Sequence, residues 1–115
     1  MNLKNSFRAL VDTGATLSCI THKVADNLGI APIDKIKVQT AAGLVEKNLY
    51  CINLYIPVNI PTIKKTDSIE VNLKHFSKIE VSEVSLSDHY DVIIGMDVIM
   101  AGSLHVSAGY FTFCT

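Results

Sequence analysis

The feature that most constrains this chain is an acidic turn directly after a short apolar run. Asp12-Thr13-Gly14 follows Ala9-Leu10-Val11, which predicts a carboxylate at the mouth of a buried strand. A carboxylate held rigidly on such a turn and partly shielded from water is suited to chemistry. The plainer interpretation is an ordinary turn, in which Asp12 accepts backbone hydrogen bonds and Gly14 supplies a positive φ.

A second motif lies near the other end of the sequence. Val92-Ile93-Ile94 is a fully apolar strand pattern that ends at Gly95 and leads into a short helical pattern beginning at Met96. A strand without polar positions is typical of a strand buried on both faces. We therefore expect it to pack beside the strand that carries Asp12.

Much of the remaining sequence alternates between apolar and polar residues, the period of a half-buried strand. Together with the two motifs, this pattern predicts eight or nine short strands, at residues 7–11, 17–20, 35–40, 44–56, 69–73, 79–84, 91–94, 104–106 and 110–113. Pro57 and Pro61 are expected to end the longest strand, and a bulge is expected between Ser82 and Ser85.

Two short helices complete the predicted elements. The first runs from His22 to Leu28, with Thr21 as N-cap and Gly29 just after its end. The second covers residues 96–101 and stops at Gly102. This set of elements predicts a small, mostly antiparallel β-barrel.

Leu10-Val11-Asp12-Thr13-Gly14-Ala15 and Val92-Ile93-Ile94-Gly95 together resemble the retropepsin-like aspartic proteases, the family of retroviral proteases and their bacterial and cellular relatives. The resemblance extends from about Phe7 to about Leu104. It implies a mostly β fold, a small closed β-barrel of the acid-protease type with one or two short helices, in a homodimer. Residues 1–115 would form a single retropepsin-like aspartic protease domain.

The resemblance implies an aspartic endopeptidase that hydrolyses peptide bonds in extended or unfolded polypeptides. Such enzymes use two carboxylates: one deprotonates the attacking water while the other protonates the carbonyl oxygen. The chain has one matching acid and no room for a second copy of the motif, so the active site would combine Asp12 from each subunit of the homodimer. No cofactor and no metal are implied.

The other residues of the active-site loop are also assigned by the resemblance. Thr13 would reach across the two-fold axis to brace the opposite loop. Gly14 would let backbone approach the carboxylates and the substrate, and Ala15 would complete the loop.

The hairpin at residues 35–48 would be the family's flap, which closes over the substrate. Ala41, Ala42 and Gly43 at its tip would bind the peptide through backbone hydrogen bonds, as in strand addition; from the residues alone, an ordinary surface turn is equally favoured. Asp97 is interpreted as structural, as a first-turn acid on the second helix that could also pair with Arg8.

Composition restricts the partners and the location. Hydrophobic residues make up 49% and charged residues 18%, which is apolar for so small a domain and suggests that a second subunit covers part of the surface. A net charge of −1 with scattered lysines predicts neither nucleic acid nor a membrane as a partner. The absence of an apolar N-terminal stretch and three widely spaced cysteines predict a cytoplasmic protein.

Two alternatives to the enzyme stay open. The first is a catalytically weak dimerisation or peptide-binding module with the retropepsin fold, whose flap cannot close because its tip has a single glycine. The second is a β-barrel interaction protein in which Asp12-Thr13-Gly14 is only a turn. Oligomeric state, cleavage of an unstructured protein and binding of a statine-type transition-state mimic would separate the three.

Overall fold

In a computed structural model, which describes residues 6–60, 70–107 and 110–114, the chain is mostly β with two short helices. The elements, in chain order, are β1 (Ala9–Val11), β2 (Cys19–Thr21), α1 (His22–Leu28), β3 (Asp34–Thr40), β4 (Gly43–Ile60), β5 (Glu70–Val84), β6 (Val92–Ile94), α2 (Met96–Ile99), β7 (Ser103–Ser107) and β8 (Tyr110–Cys114). Residues 1–5, 61–69, 108–109 and 115 lie outside this description, among them Pro61, one of the two prolines expected to end the longest strand.

Six strands form one sheet in the order β1-β6-β2-β5-β4-β3, and β7 and β8 form a separate hairpin. Strands β1 and β6 pair in parallel, as do β2 and β5, whereas the other four pairings are antiparallel. The mostly antiparallel character predicted from the sequence is thus confirmed.

The closed barrel predicted from the sequence is wrong for the described residues, because the sheet ends in two outer strands, β1 and β3. Strands β1, β2 and β6 are three residues long, whereas β4 and β5 have 18 and 15 residues. Closing a barrel requires the two outer strands to pair with each other at a fixed stagger, and β1 and β3 pair only with β6 and β4. The far part of β4–β5 instead continues as a two-stranded ribbon.

That ribbon also corrects the predicted ends of two strands. Pro57 does not end β4 but pairs with Leu73 of β5, where β3 no longer covers β4 and Pro is tolerated at a sheet edge. The two strands predicted at 69–73 and 79–84 are one strand. The pairing of β4 with β5 shifts its register between Ile52 and Leu54, which pair with Ile79 and Phe76. The irregularity in β5 therefore lies between Phe76 and Ile79, not at the predicted position between Ser82 and Ser85.

Helix α1 has the predicted bounds because its signals are local. Gly29 adopts a left-handed conformation, φ 68°, and its N–H bonds to the last turn, as expected of a glycine that ends a helix. Thr21 is extended as an N-cap should be, but its side chain makes no capping bond. The Thr21 hydroxyl is instead buried without a hydrogen-bond partner.

The core lies where the short strands, β4–β5 and both helices meet. Its buried side chains are Ile20, Val24, Ala25, Tyr50, Val81, Val92, Ile94, Val98 and Ile99. Strand β6 is buried at all three positions, as its apolar pattern predicts. No helix among the described residues is long and apolar enough to cross a membrane.

Candidate active site

Asp12 lies immediately after β1, on a tight turn that leads towards β2. Its backbone N–H donates to the carbonyl of Ile94 at 2.9 Å, and its own carbonyl accepts from the N–H of Ala15 at 3.2 Å. Asp12 and Ala15 are half-buried, whereas Thr13 and Gly14 are exposed. The four predicted loop residues therefore form one turn, in which Asp12 is half-buried.

The Asp12 carboxylate is oriented by its own turn. The Gly14 N–H donates to Asp12 Oδ1 at 2.8 Å, and a Cβ on Gly14 would lie 3.1 Å from the same oxygen. The glycines with positive φ in the described part of the chain are Gly29 and Gly43, so the plainer interpretation of an ordinary turn is met in its hydrogen bond to Asp12 but not in a positive φ at Gly14. Glycine fits here because it leaves room for the carboxylate.

The two sequence motifs meet, as predicted. Strand β1 pairs with β6 from Ala9↔Val92 to Val11↔Ile94, and the segment after β6 continues along the Asp12 loop. The Met96 N–H donates to the Ala15 carbonyl at 2.8 Å. A Cβ on Gly95 would lie 2.7 Å from the Leu17 carbonyl carbon and 2.8 Å from the Ala15 oxygen, so only glycine permits this approach.

Asp97 occupies the first turn of α2, as predicted, but it does not pair with Arg8. Its carboxylate accepts the Ser18 hydroxyl at 2.7 Å and the Ser18 N–H at 3.1 Å to each oxygen. The Arg8 guanidinium donates to the Asp88 carbonyl at 2.8 Å, and the Arg8 N–H to the Asp91 carboxylate. Sequence reasoning missed Ser18, because no spacing signal links residues 79 positions apart.

The predicted flap tip is a two-residue turn between β3 and β4. Ala41 and Ala42 are exposed, and Gly43 has φ 109°. The Thr40 hydroxyl donates to the Gly43 carbonyl at 2.9 Å and accepts from the Ala42 N–H at 3.2 Å. Because β3 and β1 are opposite outer strands of the sheet, the tip and Asp12 belong to different edges.

A polar depression of about 450 Å³ lies between the β3–β4 hairpin and the end of β5. Lys35, Lys47, Glu46 and Glu83 line it, and the Asn48 amide donates to Glu83 Oε1 at 2.9 Å. None of the residues that line the depression belongs to the Asp12 loop. Its two lysines and two glutamates carry opposite charges, so the lining indicates neither an anionic nor a cationic ligand. Within the described ranges, no three His, Cys, Asp or Glu side chains cluster as a metal site would require.

The sequence of this chain matches a family of known proteins over most of its length. The model of the family described as "gag-polyprotein putative aspartyl protease" matches residues 1–101, a range that includes the Asp12 turn, the β3–β4 hairpin and the β6–α2 segment. No curated protein and no solved structure matches the chain. On its sequence, over most of its length, the chain belongs to this family of aspartyl proteases.

Proposed function

We propose that the protein is an aspartic endopeptidase that hydrolyses peptide bonds in extended polypeptides, with an active site formed by Asp12 from each subunit of a homodimer. The observation that carries the proposal is the Asp12 carboxylate itself. It is oriented by the Gly14 N–H at 2.8 Å on a turn bonded to the β6–α2 segment, in a chain of an aspartyl protease family.

The chemistry requires two such carboxylates. One takes a proton from the attacking water, and the other gives a proton to the carbonyl oxygen of the scissile bond. Each chain supplies one Asp12, so a two-fold axis beside this turn completes the pair. Thr13 is exposed next to Asp12 and is available to brace the opposite loop.

The β3–β4 hairpin supplies a route to substrate binding. Strand β3 is an outer strand of the sheet, and at the tip Ala41 and Ala42 are exposed and small, while Gly43, which has no side chain, is half-buried. An extended peptide held by backbone hydrogen bonds needs such unobstructed backbone. We propose that in the dimer this hairpin closes over a peptide that lies across the two Asp12 residues, a role that rests on the family resemblance because within one chain the tip and Asp12 belong to different edges of the sheet.

The deciding experiment is the Asp12→Asn variant, tested for cleavage of an unstructured protein. An amide fills the same space but cannot act as the base, so we expect cleavage to fall at least to about one thousandth of wild type, within the range that general acid–base catalysis supplies. The matched control is Asp26→Asn, an exposed acid on α1, which should cleave normally. Substantial residual cleavage by Asp12→Asn would remove Asp12 from the catalytic role.

One observation favours a second candidate, a peptide-binding or dimerisation module with little turnover. The Thr40 hydroxyl bonds to both Ala42 and Gly43, which restrains the tip that would have to move over a substrate. A dimer that binds a statine-type transition-state mimic without cutting any unstructured protein would favour this candidate over the enzyme.

A further inference from the structure

We propose that Ser18 and Asp97 are positioning residues, which act on the reaction by fixing the loop that carries Asp12. The inference rests on the proposed protease function. Neither side chain is assigned to contact substrate, so their influence would be transmitted through hydrogen bonds to the Asp12 turn.

The two side chains form a directed chain of hydrogen bonds. The Gly95 N–H donates to Ser18 Oγ at 2.9 Å, and that hydroxyl donates to Asp97 Oδ1 at 2.7 Å. Asp97 Oδ1 also accepts the Val98 N–H at 2.9 Å. Ser18 is 2% exposed, so water cannot replace its hydroxyl, and removing it would leave the Gly95 N–H without its partner.

This chain of bonds joins the far end of the Asp12 loop to the β6–α2 segment. At the near end, the Asp12 N–H is bonded to Ile94. Between the ends, the carbonyls of Ala15 and Thr16 accept the N–H groups of Met96 and Asp97 at 2.8 and 3.2 Å. A shift of Gly95 would therefore pass through Met96 to Ala15, whose N–H is bonded to the Asp12 carbonyl.

The consequence for catalysis lies in the geometry of the carboxylate. Asp12 Oδ1 takes its orientation from the Gly14 N–H, which belongs to the same loop. A misplacement of about 1 Å in a reacting group can reduce the rate about a hundredfold. Without the Ser18 hydroxyl, the enzyme should thus bind its substrate nearly as well but hydrolyse it more slowly.

The test compares Ser18→Ala with Ser18→Thr, which keeps the hydroxyl, and with Ser82→Ala, which removes another buried serine hydroxyl. Active sites are counted by titration with a statine-type mimic. For Ser18→Ala we expect kcat per site to fall about tenfold to a hundredfold, with KM changed little; Ser18→Thr should recover most of the rate. Asp97→Asn, which keeps one acceptor oxygen, should be intermediate and serves if Ser18→Ala does not fold.

A purely structural role would lower thermal stability and the number of sites but leave kcat per site unchanged, and that result would overturn the proposal. Amide exchange measured by NMR gives a readout independent of turnover: Ser18→Ala should accelerate exchange at Gly14 and Gly95 but not at Ile30, after α1. Unchanged protection at Gly14 would also overturn it. A wild-type protein that cleaves nothing would contradict the protease function. In that case the amide exchange rates would still test whether Ser18 and Asp97 fix the Asp12 loop.

Discussion

At the scale of single residues, Gly14 and Gly95 both lie so close to a neighbouring group that a Cβ atom would crowd it, but the neighbouring groups differ. An added Cβ at Gly95 would meet backbone atoms of Ala15 and Leu17, at 2.8 and 2.7 Å. An added Cβ at Gly14 would meet a side-chain oxygen of Asp12 at 3.1 Å. Backbone cannot move without disturbing the loop, whereas a carboxylate can rotate.

We therefore predict different outcomes for the same substitution. Gly95→Ala should lower the free energy of unfolding by about 1–3 kcal/mol, as overpacking does. Gly14→Ala should keep most of the stability but lower the rate of cleavage, because the Asp12 carboxylate must shift by a few tenths of an ångström to make room for the added Cβ. Denaturant titration and kcat/KM for one peptide, measured on both variants, check this. Equal losses of stability in the two variants would contradict it.

At the scale of elements, α1 and the β3–β4 hairpin each depend on one glycine with a positive φ. Gly29 ends α1 at φ 68°, and Gly43 begins β4 at φ 109°, each with no atom within 4 Å of an added Cβ. Alanine at either position would meet no neighbour, so its penalty comes from the backbone conformation alone.

Gly29→Ala should thus lower the free energy of unfolding by about 1 kcal/mol, and Gly43→Ala by about 1–3 kcal/mol, because φ 109° lies outside the left-handed region that other residues adopt. If the hairpin is the flap, only Gly43→Ala should also raise KM for a peptide substrate, because only that change distorts the tip. Gly29→Asn should recover part of the stability, since Asn tolerates the left-handed conformation. If KM is the same in both alanine variants, the tip of the β3–β4 hairpin does not contribute to substrate binding.

At the scale of the whole molecule, a single chain leaves apolar surface near the Asp12 turn. Leu10 and Leu17, which flank the turn, are 44% and 43% exposed, and Met100 after α2 is 74% exposed. Other large apolar side chains, such as Leu44 and Leu86, are exposed elsewhere in the chain, and the two leucines beside Asp12 are the part of this apolar surface that the proposed interface would use. The proposed homodimer would cover this region and bring the second Asp12 to it.

Catalysis should accordingly depend on the dimer. Specific activity is expected to fall on dilution in proportion to the dimer that sedimentation detects, because a lone subunit has half a site. After complete exchange with a ninefold excess of Asp12→Asn subunits, activity per wild-type subunit should fall about tenfold, since most wild-type chains are then in mixed dimers. Full activity in a monomeric species, or no loss after exchange, would exclude the shared site.

The sequence by itself determined those features whose signals are local or carried by a recognisable motif. Helix α1 ends where Gly29 predicts, because a left-handed glycine depends only on its neighbouring residues, and it begins at the predicted residue although the Thr21 side chain makes no capping bond. The alternation on either side of Ala41-Ala42 predicted the β3–β4 hairpin. The two apolar motifs predicted strands that do pair, while the catalytic role of Asp12 stays a prediction.

Tertiary structure alone decided which distant groups meet. Over the described residues the sheet is open and not a barrel, because closure depends on the tilt and register of all the strands, which no local pattern encodes. Pro57 stays within β4 because its partner strand extends past the end of β3. Ser18 and Asp97 meet because β2 and α2 pack on the same core, and only that packing gives Asp97 the hydroxyl and the N–H of Ser18 in place of Arg8.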